Sequence, residues 1–382
     1  MQVYADNAAT TKISKAAMDA VTECMKNYYG NPSSLYTAGQ TAKQKLEETR
    51  EEIAAAINAN PREIIFTSSG SESNNQALVS AAVSGINKGK RHIISSAFEH
   101  HSILHMLSKL EKYGFEITLL PVHENGIVRT NELEAAIRQD TCLVTIMSAN
   151  NEIGTIQPIK EIGAICRKRG VTFHTDAVQA VGHIPLNVKE QNIDMLSASG
   201  HKFHGPKGVG FLYANKGIPL QNLIEGGAQE RGKRAGTENL PGIMGMAVAL
   251  KEAVADMDKN NAHMRYIRDY ISKGLSEIPH SILNGDAEKR LPGNINFSFE
   301  GIDSESVLIL LDRMGISASS GSACTSGALD VSHVISAIGR SHNLARGSLR
   351  LSIGEDITKE EADYIISSVK EIVIHLRSVS LI

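Results

Sequence analysis

From about residue 40 the chain alternates helix-period stretches with short apolar runs. A helix is expected from Thr41 to about Ala59, closed by Asn60-Pro61, with Ile64-Ile65-Phe66 following as a strand. A helical pattern after Glu72 leads to the strand His92-Ile93-Ile94, and another after His100 leads to Ile117–Leu120. The run Cys142–Met147, a helix around Ile159–Arg169, and the strands Val171–Phe173, Asp194–Ala198 and Val209–Tyr213 continue the alternation. Strands separated by helices of this length predict a mostly parallel sheet covered on both faces. Beyond about Asp258 the rhythm changes. A long helix precedes Ile282-Leu283-Asn284, then come the strand Asn294–Phe299, a helix at Ser304–Met314 and the strand Ser348–Ser352. A last helix starts at Thr358, whose spacing to Glu361 fits a capping box. The expectation is an α/β protein with a large domain over 15–258 and a smaller α+β domain over 259–382. Residues 1–14 are expected to pack with the small domain.

Composition narrows this picture only a little. Hydrophobic residues make up 42% of the chain and charged residues 21%, and the formal net charge is -3. No nucleic-acid footprint or polybasic membrane patch is implied. The start, MQVYADNAATTK, lacks a basic-then-apolar signal segment, and no apolar run approaches spanning length, so a cytoplasmic location is expected. Cys24, Cys142, Cys166 and Cys324 are far apart and show no zinc-finger or CxxC spacing. Free thiols are expected, and no metal site.

In parallel α/β sheets ligands sit beyond the carboxyl ends of the strands, and four such places stand out. Phe66 runs into Thr67-Ser68-Ser69-Gly70-Ser71-Glu72, a small, hydroxyl-rich turn that opens a helix. Such a turn can cradle a phosphate, although alone it reads as an ordinary N-cap. Asp176, after Phe173-His174-Thr175, can pair with a protonated ring nitrogen or simply cap the next helix. Lys202 lies in Ser199-Gly200-His201-Lys202-Phe203-His204-Gly205, a turn that suits Schiff-base chemistry if the amine is partly buried. A lone turn lysine is usually a solvated surface residue; the company of hydroxyl, imidazole and glycine is what lifts this one. Cys324 lies in Ser317-Ala318-Ser319-Ser320-Gly321-Ser322-Ala323-Cys324-Thr325-Ser326-Gly327-Ala328. Nearly every residue there is small, so weak packing is expected. The thiol is either incidental or a nucleophile that must travel.

Read together, these stretches resemble the cysteine desulfurases, the NifS/IscS-like group of fold-type-I pyridoxal-phosphate enzymes. The markers run along the whole chain: Asp6-Asn7-Ala8-Ala9-Thr10-Thr11, Gly30-Asn31-Pro32-Ser33-Ser34, Thr67 to Asn75, Glu99-His100 and Asn150-Asn151-Glu152-Ile153-Gly154. They continue with Asp176-Ala177-Val178-Gln179, Ser199-Gly200-His201-Lys202, Arg231 to Thr237, Gly321-Ser322-Ala323-Cys324 and Ser348-Leu349-Arg350. Each is weak alone, but their shared order is specific.

The resemblance implies a role for each matching position. Lys202 would carry pyridoxal 5'-phosphate as a Schiff base and move protons, Asp176 would hold the ring nitrogen protonated, and His100 would stack on the ring. Gln179 would hydrogen-bond the ring's phenolic oxygen, while Gly70, Ser71, Ser199 and His201 would bind the phosphate. Thr237 would reach the phosphate of a neighbouring subunit, which implies a homodimer with shared sites. Arg350 would hold the carboxylate of L-cysteine, with Asn151 beside the ring. Cys324 would take the sulfur as a persulfide, leaving L-alanine, and offer it to an acceptor such as an iron–sulfur scaffold protein or a thiolation enzyme. Nothing like Arg-x-Gly-x-x-Cys precedes Cys324, which places the chain in the long-loop branch. Tyr36 stands where the family usually carries His, and Lys12 where Pro is common. Selenocysteine lyase activity, another pyridoxal-phosphate reaction on the same fold, and a non-catalytic sulfur-transfer scaffold are the competing readings.

Overall fold

The computed structural model describes residues 1–321 and 331–380. Its centre is a seven-stranded sheet in the order Ile64–Thr67, Gly210–Ala214, Met195–Ser199, Thr172–Asp176, Thr141–Thr145, His92–Ser96, Glu116–Leu120. Gly210–Ala214 pairs antiparallel with both of its neighbours, and every other pairing is parallel. Most of these strands are buried on both faces, as continuous apolar or small-residue runs require when helices cover the two sides.

The helices begin and end where local chemistry says they should. Ser69 caps the helix Gly70–Ile86 by accepting from the Glu72 N–H. Helix Ile159–Arg169 ends at Gly170, whose φ of 64° places it in the left-handed region. The capping box at Thr358 forms: its hydroxyl accepts from the Glu361 N–H, and the Glu361 carboxylate accepts from the Thr358 N–H. Expected and observed boundaries differ by a few residues, since Thr37 starts the second helix and Ala56 ends it. Helix Lys15–Asn27 contains Cys24, whose surroundings read as helical, whereas helix Leu240–Ala255 carries no periodic signal. They pack on each other. Leu240–Ala255 is rich in Ala, Met and Gly and has no polar stripe to reveal its period.

A second sheet of three antiparallel strands, in the order Ser348–Ser352, Asn294–Phe299, Ser281–Leu283, has its own core. Helices Met257–Ser276 and Lys359–Ser380 pack together beside it. Val3–Tyr4 pairs in parallel with Ile316–Ser317, and Val3 and Ala5 join this second core. Val334, Ile335, Ile338 and Ala345 instead join the core that includes the large sheet. Among the described residues no helix is long and apolar enough to cross a membrane.

Candidate active site

The carboxyl ends of four parallel strands converge on a cavity of about 230 Å³. Thr67 leads into Ser69-Gly70-Ser71, Ser96 leads towards His100, Asp176 ends its own strand, and Ser199 leads into Lys202. Asn151 and Gln179 also line this space, and Arg350 enters it from the small sheet.

Lys202 ends the short 3-10 helix Gly200–Lys202. Its Nζ donates to the carbonyls of Ala8 at 2.6 Å and Ala9 at 2.8 Å. The N-terminal segment therefore aims the amine. Gln179 holds the same segment, since its Nε2 donates to Ala8 O at 2.9 Å.

Asp176, 4% exposed, accepts from Val178 N–H at 3.0 Å and from Asn74 Nδ2 at 2.7 Å. Asn74 also donates to Ser102 Oγ at 2.9 Å, and that hydroxyl lies 2.8 Å from His100 Nδ1. Burial, together with the positive charge of Lys202 and the neighbouring His333 and His105, holds His100 below the ordinary histidine range, against the opposing pull of Asp176. Burial also pushes His201 down to about 4, and its Nδ1 lies 3.1 Å from Thr10 Oγ1. His201 is therefore neutral at physiological pH.

The start of helix Gly70–Ile86 opens onto the cavity, and its N–H groups carry the positive end of the helix dipole. A Cβ added at Gly70 would meet Val178 Cγ2 at 2.5 Å, so only glycine fits between the helix start and the cavity wall. Arg350 is 1% exposed. Its Nη2 donates to Asp6 Oδ1 at 2.8 Å and its Nη1 to Asn151 O at 3.0 Å, while Nε has no partner among the described residues. That leaves guanidinium donors for a carboxylate. An amine, a carboxylate able to accept one more donor, an anion cradle and a guanidinium around one cavity fit pyridoxal phosphate with an amino acid beside it.

Residues 3–365 match the aminotransferase class-V family. A cysteine desulfurase IscS from Methanosarcina thermophila is 50% identical over 378 residues, covering 99% of this chain and 93% of that protein. The chain belongs to the class-V aminotransferases. Within that family its relatives are cysteine desulfurases. A solved NifS-like protein aligns with a TM-score of 0.92 at 37% identity, over 98% of this chain and 100% of that one. SspA, solved in complex with cysteine, aligns with a TM-score of 0.82 at 34% identity, over 93% of this chain and 99% of that one.

One expected site residue of this class-V chain, Thr237, lies apart from the cavity. Thr237 lines a separate small cavity of about 60 Å³ with Thr67, Ser68 and Arg234. Cys324 falls within 322–330, outside the described residues. The flanks are described: Ser319 Oγ donates to Asp6 Oδ2 at 3.1 Å, and Ser332 Oγ donates to Glu152 Oε2 at 2.5 Å. Ser319 and Ser332 therefore lie beside Arg350 and Glu152, respectively. Sequence reasoning gave no role to Asn74, Ser102, Asp6 or the Ala8 and Ala9 carbonyls, although all but Ser102 lie within the marker stretches. Position also pointed to two of them: Asn74 lies one helical turn beyond Gly70, and Ser102 follows His100 at a helix start.

Proposed function

We propose that this protein is a cysteine desulfurase that removes sulfur from L-cysteine, leaves L-alanine and holds the sulfur as a persulfide on Cys324. The observation that carries this reading is the single cavity shared by Lys202, Asp176, His100 and Arg350. Pyridoxal phosphate bound there would draw electrons from the amino-acid carbons and weaken the C–S bond. Every other part falls to the chain. Lys202 Nζ, held on two carbonyls, is placed to anchor the cofactor and to carry a proton to and from the substrate carbon. Asp176, which accepts from Asn74 and Val178 and has acceptor capacity left, would keep a ring nitrogen protonated. Gly70, Ser71, Ser199 and His201, which line the cavity, would hold the phosphate, His100 would stack on the ring, and Gln179 would donate to its phenolic oxygen. Arg350 binds the substrate carboxylate, with Asn151 beside the ring.

Cys324 is assigned the thiolate that attacks the substrate sulfur, because the other three cysteines are buried. Thr237 is assigned to a neighbouring subunit's phosphate site, which makes the working unit a homodimer. The acceptor is a sulfur-receiving protein such as an iron–sulfur scaffold or a thiolation enzyme. The residues 1–14, 15–258 and 259–382 form, in this reading, an N-terminal strap, a cofactor-binding domain and a smaller domain that carries Cys324. Incubation with L-cysteine, quantifying alanine and mapping the persulfide by mass spectrometry, tests the whole proposal. Absence of alanine from cofactor-loaded protein would sink it.

A further inference from the structure

His100 enters the cavity from the start of helix His101–Lys112, and its hydrogen bonds specify more than its position. The Ser102 backbone N–H donates to His100 Nδ1 at 3.1 Å, so that nitrogen must present a lone pair. The Ser102 hydroxyl, 2.8 Å from the same nitrogen, accepts from Asn74 Nδ2 at 2.9 Å, which leaves its own proton for Nδ1. The second Nδ2 proton of Asn74 goes to Asp176 Oδ2 at 2.7 Å. Asp176 thereby fixes the amide orientation, because a flipped Asn74 would set oxygen against oxygen. Asn74 Oδ1 is buried without a partner among the described residues, so the side chain serves this site through its donors alone. Every donor-to-acceptor direction from Asp176 to His100 is then determined.

We propose that Asn74 and Ser102 are positioning residues that hold neutral His100 as its Nε2–H tautomer, with that N–H turned to the cofactor cavity. The assignment rests on the desulfurase reading for its purpose: it makes His100 a proton donor facing the reacting group, rather than only a ring that covers the cofactor. Among the described residues His100 Nε2 has no hydrogen-bond partner, and the ring lines the cavity. Placing a proton on Nδ1 would set it against the Ser102 N–H. The surroundings act in the same direction. Lys202 in the turn after its strand, His333 in the helix His333–Ala337, and His105 on the same helix as His101 all disfavour a charged His100; Asp176 alone of these favours it. His101 packs edge-on at 6.3 Å between ring centroids, and the adjacent Glu99 is fully buried. Burial pushes Glu99 up to about 8, so that its charge is suppressed near neutral pH.

The test is nitrogen-15 NMR of the resting, cofactor-loaded enzyme labelled at histidine, with the His100 signals identified by their loss in His100→Gln. At about pH 7.5 His100 should show a protonated Nε2 and an unprotonated, hydrogen-bonded Nδ1. Ser102→Ala removes one of the two donors to Nδ1, which favours the charged form. The midpoint of the His100 titration should rise by about 0.5–1 pH unit, the worth of one hydrogen bond. Ser102→Thr, which restores the hydroxyl, should bring it back. A wild-type Nδ1–H tautomer, or a Ser102→Ala midpoint that does not move, overturns the assignment. The readout needs no turnover. Protein that gives this tautomer and shift yet makes no alanine supports the assignment while removing the desulfurase reading.

Discussion

Arg350 Nη2 lies 2.8 Å from Asp6 Oδ1, an ion pair that ties the N-terminal segment to the strand Ser348–Ser352 at the cavity edge. The guanidinium is held on two sides, by Asp6 and by Asn151 O, and its remaining donors are pre-aimed. A planar fork of this kind discriminates for carboxylates, whereas an ammonium supplies a point charge. Arg350→Lys should therefore lower kcat/KM for L-cysteine by about tenfold or more, chiefly through KM, and leave cysteamine, which lacks the carboxylate, nearly unchanged. Steady-state kinetics with both substrates measures this. Equal losses on the two would remove Arg350 from carboxylate binding.

A second pair joins the turn after Lys202 to the segment after the same strand. His204 Nε2 lies 3.2 Å from Glu355 Oε2, and His204 Nδ1 donates to Lys12 O at 2.9 Å. Burial pulls His204 down, but the hydrogen bond and charge of Glu355 outweigh it and leave the imidazole above its ordinary range. The hydrogen bond from His204 likewise holds Glu355 below the usual carboxylate range. A raised histidine contributes stability fully below its unfolded value, near 6.5, and loses it as pH rises through the folded one. The lowered carboxylate contributes above its unfolded value, near 4.3, and loses it as pH falls. The melting-temperature difference between wild type and Glu355→Gln should accordingly be greatest at about pH 5–6 and shrink towards about pH 9. A difference independent of pH would mean the pair carries no charge.

Much of this was legible because strand ends announce themselves. Ser69-Gly70-Ser71, Asp176 and Lys202 each lie at or a few residues beyond the end of a strand, and the sheet brings such ends together by its topology. What escaped lies in hydrogen bonds that span long sequence separations. Asp6 meets Arg350 across 344 residues and Asn74 meets Asp176 across 102, and periodicity carries no information about either. The helix Leu240–Ala255 escaped for a different reason, because a helix apolar all round has no amphipathic signal. Backbone acceptors such as Ala8 O are invisible to any reading of side chains.

Glu230 and Arg50, each about 2% exposed at the side chain, form a bidentate pair at 2.8 Å for both contacts. Glu230 also accepts from Phe66 N–H at 2.9 Å, on the strand that leads to the Gly70 turn. The backbone pays for this with left-handed φ values of 47° at Glu230 and 58° at Arg231. The pair therefore fixes the path of the segment that ends at Thr237. Glu230→Gln leaves buried Arg50 with only the half-exposed Glu47 as a charged partner, and should cost about 3 kcal/mol in chemical denaturation. Thr237→Ala should leave that stability within about 0.5 kcal/mol while, on the proposed shared site, weakening cofactor retention. If Thr237→Ala retained cofactor like wild type on dialysis, the shared phosphate site would be lost.

Cys324 can be singled out by what surrounds the other cysteines. Cys24, Cys142 and Cys166 are buried, and burial pushes their thiols up to about 11, 11 and 12. At about pH 7.5 each is a thiolate less than about one part in a thousand, too little for a nucleophile. A cysteine that attacks sulfur must be both ionised and able to reach the cavity. Cys324→Ala should keep the cofactor absorbance and its change on adding cysteine, and lose about 100-fold or more of thiol-dependent sulfide release. Serine at Cys24, Cys142 or Cys166 should leave turnover within about twofold, although Cys24→Ser and Cys166→Ser, both within the core, are expected to lower the melting temperature. Mass spectrometry after a single turnover should place the added sulfur at Cys324 alone. Sulfur found on one of the buried thiols, or near-normal turnover by Cys324→Ala, would move the nucleophile elsewhere.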